Sequence, residues 1–474
     1  MTERIAADIC VIGAGSGGLS VAAGAALLGA ETVLIEKDRM GGDCLNTGCV
    51  PSKALLAAAH AAETIRGAGR FGIGAGGPDI DFAAVNDHVR DVIAGIAPTD
   101  SVERFEGLGV RVLRAAGHFV GPRRVLAGEV EVTARRFVVA TGSRAALPPI
   151  PGLADTPYLT NETIFGLREA PAHLIVIGAG PIGAELAQAH RRLGCRVTLL
   201  EAASLLPKDD PELVDILRQR LIRDGIDLRE GVSVEGIAGG AGRVSATVRQ
   251  GDGTDRIEGS HLLIAAGRRP NIEDLGLDAA GIAHDARGIT VNARLRSSNR
   301  RVYAVGDVAG GMQFTHLAAL HAGIVIRNAL FRLPARADRA AIPWVTYTAP
   351  ELAHVGLDED AARAAHGEIR ILRWAFAEND RARAERDTDG LIKVITTRRG
   401  RVLGVDILGP HAGELILPWV LAVDKRLKIG AVAGIVAPYP TLGEIGKRAA
   451  GSFYTPSLFS ERTKRIVRFL ARFG

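Results

Sequence analysis

The chain has 474 residues, of which 47% are hydrophobic, 58 are lysine or arginine and 53 are aspartate or glutamate. The formal charge is only +5 and acids lie between the arginines, which argues against a continuous basic stripe for nucleic acid. Four cysteines are too few for a disulfide-stabilised scaffold, so we expect a reducing compartment. The length allows several domains, and 58 glycines indicate many tight turns between strands and helices.

Neither a signal peptide nor a membrane-spanning stretch is expected from the sequence. The first residues lead directly into a strand-like apolar run at 7–12, and no apolar run of about 18 residues occurs. We therefore expect a cytoplasmic protein with no integral membrane segment. Residues 461–474 mix basic and apolar positions and predict an amphipathic helix, either solvated or in contact with anionic lipid or a partner.

A strand, glycine loop and helix pattern opens the chain. The apolar run 7–12 leads into the loop 13–18 (GAGSGG) and an alanine-rich helix, and the next strand delivers Glu36 at its end. Such glycines allow the backbone to approach a pyrophosphate at the helix N-terminus, and the acid can accept hydrogen bonds from ribose hydroxyls. We predict a dinucleotide-binding fold whose ligand is contacted by Gly13, Gly15, Gly18 and Glu36.

Two cysteines then occur close together in residues 41–53 (GGDCLNTGCVPSK). On a regular helix Cys44 and Cys49 would lie too far apart for a disulfide, so the segment must bend at 46–48 if they pair. Lys53 falls on the same helical face as Cys49 and favours its thiolate. Since no second pair of Cys or His with matching spacing follows, we predict a redox site and no metal.

The strand and glycine loop pattern recurs later in the chain. Residues 173–177 form an apolar run that leads into the loop 178–183 (GAGPIG), and the following strand again ends at an acid. The four ligand positions of the first loop recur at a common offset of 165, as Gly178, Gly180, Gly183 and Glu201. One fold needs one such loop, so the repeat predicts two dinucleotide-binding domains.

Residues 41–53 closely resemble the active-site motif of the flavoprotein disulfide reductases, the family of glutathione reductase, dihydrolipoamide dehydrogenase and mercuric reductase. The resemblance implies that Cys44 is the interchange thiol that meets the substrate and that Cys49 forms a charge-transfer complex with flavin. The first loop lies about one helix and one strand before the thiols, so its ligand should be FAD. The second loop should hold NAD, because Glu201 would repel a 2′-phosphate, although NADP remains possible.

Later segments resemble the auxiliary cofactor motifs of the family. One predicted strand ends in a small turn near residue 141. Another ends in Asp307, which would form a hydrogen bond with the ribityl chain of the flavin. Residues 265–271 resemble the segment that leads from the nicotinamide domain back to the FAD domain. A helix that opens at 314–317 could direct its N-terminal dipole toward the flavin. The resemblance adds to the cofactor-binding set Lys53, Thr141, Gly142, Gly267, Gly306, Asp307 and Thr315.

The predicted fold is α/β, with two Rossmann-like dinucleotide-binding domains for FAD and NAD(P) and a C-terminal α+β dimerisation domain. The α+β character of the last part is predicted from short alternating runs at 391–395 and 402–408, which are typical of antiparallel strands, and its role in dimerisation is what the family resemblance implies. The expected boundaries are a first FAD-binding part, an NAD(P)-binding domain, a second FAD-binding part and the dimerisation domain, at 1–147, 148–268, 269–340 and 341–474.

Three further residues are assigned to catalysis by the resemblance. Glu185 is the family position that pairs with the active-site lysine, here Lys53; a plain surface glutamate is the alternative. Where dihydrolipoamide dehydrogenase and glutathione reductase have a His-Pro motif, this chain has Tyr439, followed by Glu444. A phenol exchanges protons with a thiol less readily than an imidazole near pH 7. Both residues should come from a neighbouring subunit, which implies a homodimer.

We therefore expect an FAD-dependent NAD(P)H:disulfide oxidoreductase that uses a Cys44–Cys49 redox disulfide and acts on a small dithiol, disulfide or other thiol-reactive acceptor. Mercuric reductase also carries a tyrosine at the position of Tyr439, so a soft metal ion is an alternative acceptor. Its vicinal cysteine pair near the C-terminus has no counterpart, since the last cysteine of this sequence is Cys195. A further alternative acceptor is a quinone or oxygen that the flavin reduces directly. An alternative function of a different class is that of a flavoprotein that mainly binds a partner.

Overall fold

A computed structural model describes residues 3–337 and 341–473 of the chain. Within these ranges, residues 3–204 and 226–337 form one compact unit, and residues 205–225 and 341–473 form another. The expected boundary at 340/341 adjoins residues outside the described ranges, and the expected domain limits stay a prediction. In the described ranges, no helix combines the length and the apolar character that crossing a membrane requires.

The first part of the chain builds a largely parallel sheet with helices. Its elements are β1 (Glu3–Ile12), α1 (Ser16–Leu27), β2 (Thr32–Glu36), α2 (Gly42–Asn46), α3 (Cys49–Gly67), α4 (Phe82–Ile96), α5 (Val102–Gly107), β3 (Val110–Arg114), β4 (Gly117–Gly121), β5 (Arg124–Ala127), β6 (Val130–Val139) and β7 (Ser143–Ala145). The strand order is β3-β2-β1-β6-β5-β4, and β1 runs parallel to both β2 and β6. The first glycine loop follows the carboxyl end of β1, where dinucleotides bind in such sheets.

The second glycine loop belongs to a separate parallel sheet. The elements of this part are β8 (His173–Ile177), α6 (Pro181–Arg192), β9 (Arg196–Glu201), α7 (Pro211–Arg223), β10 (Asp227–Glu230), β11 (Ser233–Gly240), β12 (Arg243–Gln250), β13 (Gly253–Gly259) and β14 (His261–Ile264). The order of the parallel sheet is β10-β9-β8-β14. Strands β11, β12 and β13, which lie between β10 and β14 in sequence, form a separate antiparallel sheet. The prediction of two dinucleotide-binding folds is confirmed.

After β14 the chain returns to the first sheet. The elements are β15 (Arg268–Pro270), β16 (His284–Asp285), β17 (Gly288–Ile289), β18 (Val302–Ala304) and α8 (Thr315–Ala329). Strand β15 pairs with β7, and β18 pairs in parallel with β6. The predicted return to the first fold is thereby confirmed, and it places the acid after β18 at the same edge as the first glycine loop.

The first sheet is buried on both faces. Along β1, Cys10 packs on one side in a cluster with Phe119 and Phe137, and Val11 packs on the other side in a cluster that includes residues of α1 and α8. Alternate residues of a strand point to opposite faces, so both faces require apolar residues. Burial raises the pKa of the Cys10 thiol far above its ordinary value, as expected for a thiol packed in the core.

The C-terminal part is an antiparallel sheet with helices. Its elements are β19 (Trp344–Thr346), β20 (Glu351–Gly356), α9 (Glu359–His366), β21 (Ile369–Ala375), α10 (Asp380–Glu385), β22 (Leu391–Thr397), β23 (Val402–Gly409), α11 (Ala412–Leu415), α12 (Leu417–Asp424), α13 (Gly430–Ala433), α14 (Glu444–Ser452), α15 (Thr455–Leu458) and α16 (Glu461–Leu470). The sheet order is β19-β20-β23-β22-β21, and the pairs are antiparallel. The predicted strands at 391–395 and 402–408 are confirmed.

Within this second unit, a buried lysine of β22 contacts the residue that caps α7. Lys393 on β22 is 4% exposed, and its Nζ lies 2.6 Å from Oδ2 of Asp210 and 3.3 Å from Oε2 of Glu359. The other oxygen of Asp210 accepts from backbone N–H groups in the first turn of α7. Burial acts to lower the pKa of Lys393, but the hydrogen bond and charge of Asp210 outweigh it and raise the pKa. The ammonium is therefore part of the core.

We expect Lys393→Met to destabilise the second unit by about 3–5 kcal/mol, because it leaves the buried carboxylate of Asp210 without its cation. The matched control is Arg398→Met, which removes an ion pair with Glu368 that is 72% and 69% exposed and should cost at most about 1 kcal/mol. The measurement is urea unfolding followed by tryptophan fluorescence, since all three tryptophans lie in this unit. Equal destabilisation by the two variants would contradict this account.

Candidate active site

The backbone bends between the two cysteines. Helix α2 ends at Asn46 and α3 begins at Cys49, so Thr47 and Gly48 interrupt the helix. A Cβ on Gly48 would lie 2.9 Å from the carbonyl oxygen of Asp43, which makes glycine the residue that fits this turn. The predicted bend at 46–48 is confirmed, and it brings the thiols into contact.

The two thiols are free in this structure, and each changes the pKa of the other. The interaction with Cys44 is the largest effect that lowers the pKa of Cys49, to about 6, and Thr315 and the charge of Lys53 lower it as well. The same contact with Cys49, together with burial, raises the pKa of Cys44 well above its ordinary value. At pH 7 the pair therefore carries one negative charge, on Cys49, while Cys44 retains its proton.

Helices α6 and α8, together with α3 itself, supply the groups around Cys49. The hydroxyl of Thr315, at the start of α8, lies 3.3 Å from the Cys49 sulfur. Lys53 lies one helical turn after Cys49, and its Nζ is 2.7 Å from Oε2 of Glu185, a buried residue of α6. The predicted pairing of Lys53 with Glu185 is confirmed. The carboxylate fixes the position of an ammonium group whose charge supports the neighbouring thiolate.

Asp43 organises the bend, and sequence analysis did not select it. Its Oδ1 accepts from Oγ1 of Thr47 at 2.6 Å and from Nδ2 of Asn161 at 3.0 Å, and its Oδ2 accepts from a guanidinium nitrogen of Arg268 at 2.9 Å. Asn161 also donates to the carbonyl of Thr47. Two sequence features could have pointed to this network. Asp43 directly precedes Cys44, and Arg268 directly follows Gly267, which was assigned to cofactor binding. The partners are distant in sequence, so only the fold brings them together.

The same arginine extends this network to the acid after β18. Nε of Arg268 donates to Oγ of Ser143 at 2.7 Å, and Ser143 donates to Oδ2 of Asp307 at 2.5 Å. Burial raises the pKa of Asp307. The N–H of Gly306 donates to Nδ1 of His321, which fixes the turn that presents Asp307. The residues expected near the flavin's ribityl chain are thus held in one hydrogen-bonded network with the redox segment.

The first glycine loop touches the redox segment. Gly41 donates its N–H to the carbonyl of Ala14 at 2.9 Å, and a hydrogen bond from Ser16 acts to lower the pKa of Cys44. Gly13 has φ +104°, and a Cβ there would lie 2.4 Å from the carbonyl oxygen of Ala140. Glycine is therefore the residue that fits this turn, as expected for a loop that binds a pyrophosphate through its backbone.

The two glycine loops have the same geometry. Gly178 repeats the φ of +104°, and a Cβ on Gly18 or on Gly183 would lie 1.8 Å from a loop carbonyl oxygen. Each acid is held in the same way: Glu36 accepts from the N–H groups of Ala14 and Asp38, and its counterpart Glu201 accepts from those of Ala179 and Ala203. Both carboxylates are thus positioned at the loop, and their bonds to ribose stay a prediction.

The remaining predicted residues lie in two places. Thr141 and Gly142 meet the return segment, because Oγ1 of Thr141 donates to the carbonyl of Asn271 and the N–H of Asn271 donates to the carbonyl of Gly142. Tyr439 and Glu444 lie in the second unit. The phenol of Tyr439 donates to Oδ2 of Asp380 at 3.1 Å, and this bond with the carboxylate raises the pKa of the phenol. Their role toward thiols stays a prediction.

We expect Thr315→Val to raise the pKa of Cys49 by about 0.5–1 unit, because it removes one hydrogen bond to the thiolate. Thr315→Ser retains the hydroxyl and serves as the control. The measurement is the pH dependence of iodoacetamide alkylation at Cys49 in the reduced enzyme, followed by peptide mass spectrometry. An unchanged profile in the valine variant would show that the contact does not support the thiolate.

Asp43→Asn should have the opposite effect on the same profile. The negative charge of Asp43 raises the pKa of Cys49, so its removal should move the pKa below the native value of about 6. The side-chain oxygen of asparagine can still accept from Thr47, which keeps the bend. Asp87→Asn, which removes an exposed carboxylate paired with Arg168, is the charge-matched control. A shift in the same direction as that of Thr315→Val would contradict the assignment.

Comparison with known proteins agrees with this geometry. Residues 7–322 match the family model of the pyridine nucleotide-disulphide oxidoreductases, and residues 342–450 match the dimerisation domain of that family. A mercuric reductase of Streptomyces lividans is 35% identical over 455 residues, covering 94% of this chain and 96% of that protein. A dihydrolipoyl dehydrogenase of Geobacillus stearothermophilus is 34% identical, with the same two coverages.

Solved structures are similar over nearly the whole chain. The Cu(II) complex of the HOCl-induced flavoprotein disulfide reductase RclA from Escherichia coli has a TM-score of 0.84 and 27% identity, and covers 93% of this chain and 99% of that chain. LpdA from Mycobacterium tuberculosis has a TM-score of 0.85 and 27% identity, with coverages of 95% and 99%. FAD is the characteristic cofactor of these flavoproteins. The chain belongs to the pyridine nucleotide-disulphide oxidoreductase family and is an FAD-dependent oxidoreductase.

Proposed function

We propose that this enzyme transfers electrons between NADH and a small dithiol or disulfide through the Cys44–Cys49 pair. The observation that supports the proposal is the set of groups gathered at Cys49: the Thr315 hydroxyl lies 3.3 Å from its sulfur, and Glu185 holds Lys53 one helical turn away. Together with Cys44, these groups lower the pKa of Cys49 to about 6. Bound FAD supplies two-electron transfer between the nicotinamide and this pair. In the reductive direction two electrons open the Cys44–Cys49 disulfide, giving the Cys49 thiolate and, with one proton taken up, the Cys44 thiol.

The chain divides the chemistry between the two sulfurs. Lys53, held by Glu185, and Thr315 stabilise negative charge on Cys49, so Cys49 is the electron-accepting sulfur. Cys44 keeps its proton while Cys49 is ionised, because its pKa is raised by that neighbour. To attack a substrate disulfide, Cys44 must lose this proton and form a mixed disulfide, which Cys49 then resolves as the second substrate thiol leaves.

Glu201 supports NAD as the nicotinamide cofactor. Its carboxylate ends β9 and is fixed by the N–H groups of Ala179 and Ala203, beside the second glycine loop. An acid at this position accepts hydrogen bonds from an unmodified ribose and repels a 2′-phosphate. Gly180 has open space around the position of a Cβ, which leaves room for a ligand at the loop.

The second unit supports a homodimeric enzyme. Residues 342–450 match a dimerisation domain, and several large apolar side chains in this region are exposed, including Leu417, Leu421, Ile435 and Val436. Val436 is 94% exposed, as expected for a residue that a second subunit covers. In the proposed dimer, Tyr439 and Glu444 of one subunit reach the thiols of the other.

A soft metal ion is the second candidate substrate, and Tyr439 favours it. Asp380 raises the pKa of this phenol, so at pH 7 Tyr439 donates a hydrogen bond and is a poor base for the proton of Cys44. A thiolate-seeking cation displaces thiol protons when it binds, and so depends less on such a base. The Streptomyces lividans relative is named mercuric reductase, and one similar structure is a Cu(II) complex.

The decisive experiment is anaerobic titration of the purified enzyme with NADH and then with NADPH. We expect a long-wavelength thiolate-to-flavin absorption band with NADH, lost in Cys49→Ser, and at least about a tenfold preference for NADH in kcat/KM. The Cys10→Ser variant is the control, since that thiol is remote in the core. Full reduction without the band in the native enzyme would refute the role of Cys49.

Acceptor assays then separate the candidates. Dihydrolipoamide-linked turnover supports the dithiol proposal, and NADH oxidation that requires added Hg(II) or Cu(II) supports the metal alternative. Both activities should fall by about 100-fold or more in Cys44→Ser, because both need the interchange thiol. Turnover with a quinone that persists in Cys44→Ser would instead indicate a substrate reduced directly by flavin.

A further inference from the structure

Helix α16 is an exposed helix whose chemistry the proposed activity does not use. Ser460 caps its N-terminus by accepting from the N–H of Thr463, and the helix runs over Glu461–Leu470. None of its residues is buried. Since tertiary packing normally stabilises a helix of this length, an amphipathic helix without buried residues indicates a surface that another partner covers.

One face of α16 is apolar. The side chains at 466 and 470 follow the i, i+4 spacing, 467 and 469 widen the same face, and Phe473 follows just after the helix end. The rings of Phe469 and Phe473 pack edge to face at 5.1 Å. The exposed apolar set is 48 to 75% accessible and consists of Leu458, Phe459, Ile466, Val467, Phe469, Leu470 and Phe473.

The other face is strongly basic. Residues 461–473 contain five cationic side chains and one acidic side chain, Glu461. Glu461 forms ion pairs with Lys464 at 2.8 Å and Arg468 at 3.6 Å. Arg462, Arg465 and Arg472 form no ion pair within the described chain. An excess of positive charge thus lies beside the apolar face.

We propose that α16 docks the enzyme on an anionic lipid surface, with the helix lying in the plane of the interface. Aromatic and aliphatic side chains on one face, with arginines on the other, match the headgroup and acyl boundary of such a bilayer. A second copy of the helix is a poorer partner, because two faces with the same excess of positive charge repel each other. Such docking does not depend on which electron acceptor the enzyme uses, and it is a peripheral attachment only.

The test is flotation of the full-length holoenzyme with two kinds of vesicle. We expect recovery with vesicles of equal parts phosphatidylglycerol and phosphatidylcholine, little recovery with pure phosphatidylcholine, and partial release by high salt. Phe469→Ser combined with Leu470→Ser should reduce binding by about tenfold or more. Arg465→Gln combined with Arg468→Gln should also reduce it by about tenfold.

The charge-matched control is Arg287→Gln combined with Arg300→Gln, two exposed arginines of the first unit, which should bind vesicles as the native enzyme does. NADH oxidation and the elution volume in size-exclusion chromatography should be unchanged in all variants. Equal recovery with both vesicle types, no recovery with either, or insensitivity to the helix variants would overturn the proposal. A change to monomer in the apolar variant would show that α16 is a subunit interface instead, and would also overturn it.

Discussion

The interaction of Cys44 with Cys49 raises the pKa of one thiol and lowers that of the other, so the pair carries one proton and one negative charge near neutral pH. The other groups around the pair act on that charge: Thr315 and Lys53 stabilise it, and Asp43 opposes it. Because favourable and unfavourable contributions come from different elements of the fold, the charge depends on the bend at 46–48 being held in place. The acidity of Cys49 is therefore a property of the whole network more than of the cysteine motif alone.

The duplicated glycine loops show how one geometry can serve two sites. Both loops have the same backbone conformation and the same acid at the end of the next strand. The first loop contacts the redox segment through Gly41 and influences Cys44 through Ser16, whereas the helix after the second loop reaches Lys53 through Glu185. The distinction between the two loops thus arises from neighbouring chain segments, because the loops themselves are alike.

The sequence was sufficient for features that depend on local spacing. The glycine loops, the cysteine bend and the antiparallel strands of the second unit are each encoded within about twenty residues, and the structure confirms them. The pairing of Lys53 with Glu185 is long-range and was available only through family resemblance. Asp43 with Asn161 and Arg268 was missed, because no local pattern links positions 118 and 225 residues apart. The membership of α7 in the second unit was missed for the same reason.

The position of α7 has a consequence for the modularity of the chain. Residues 205–225 belong to the second unit, so the polypeptide passes between the units at 204/205, at 225/226 and between 337 and 341. Cutting the chain at a single domain boundary in the sequence therefore does not give two parts that each contain a complete unit. A fragment that starts at residue 341 would lack Asp210 and would leave the buried ammonium of Lys393 with fewer carboxylate partners. A chimera that takes the second unit from this chain must therefore include α7 as well as the C-terminal sheet.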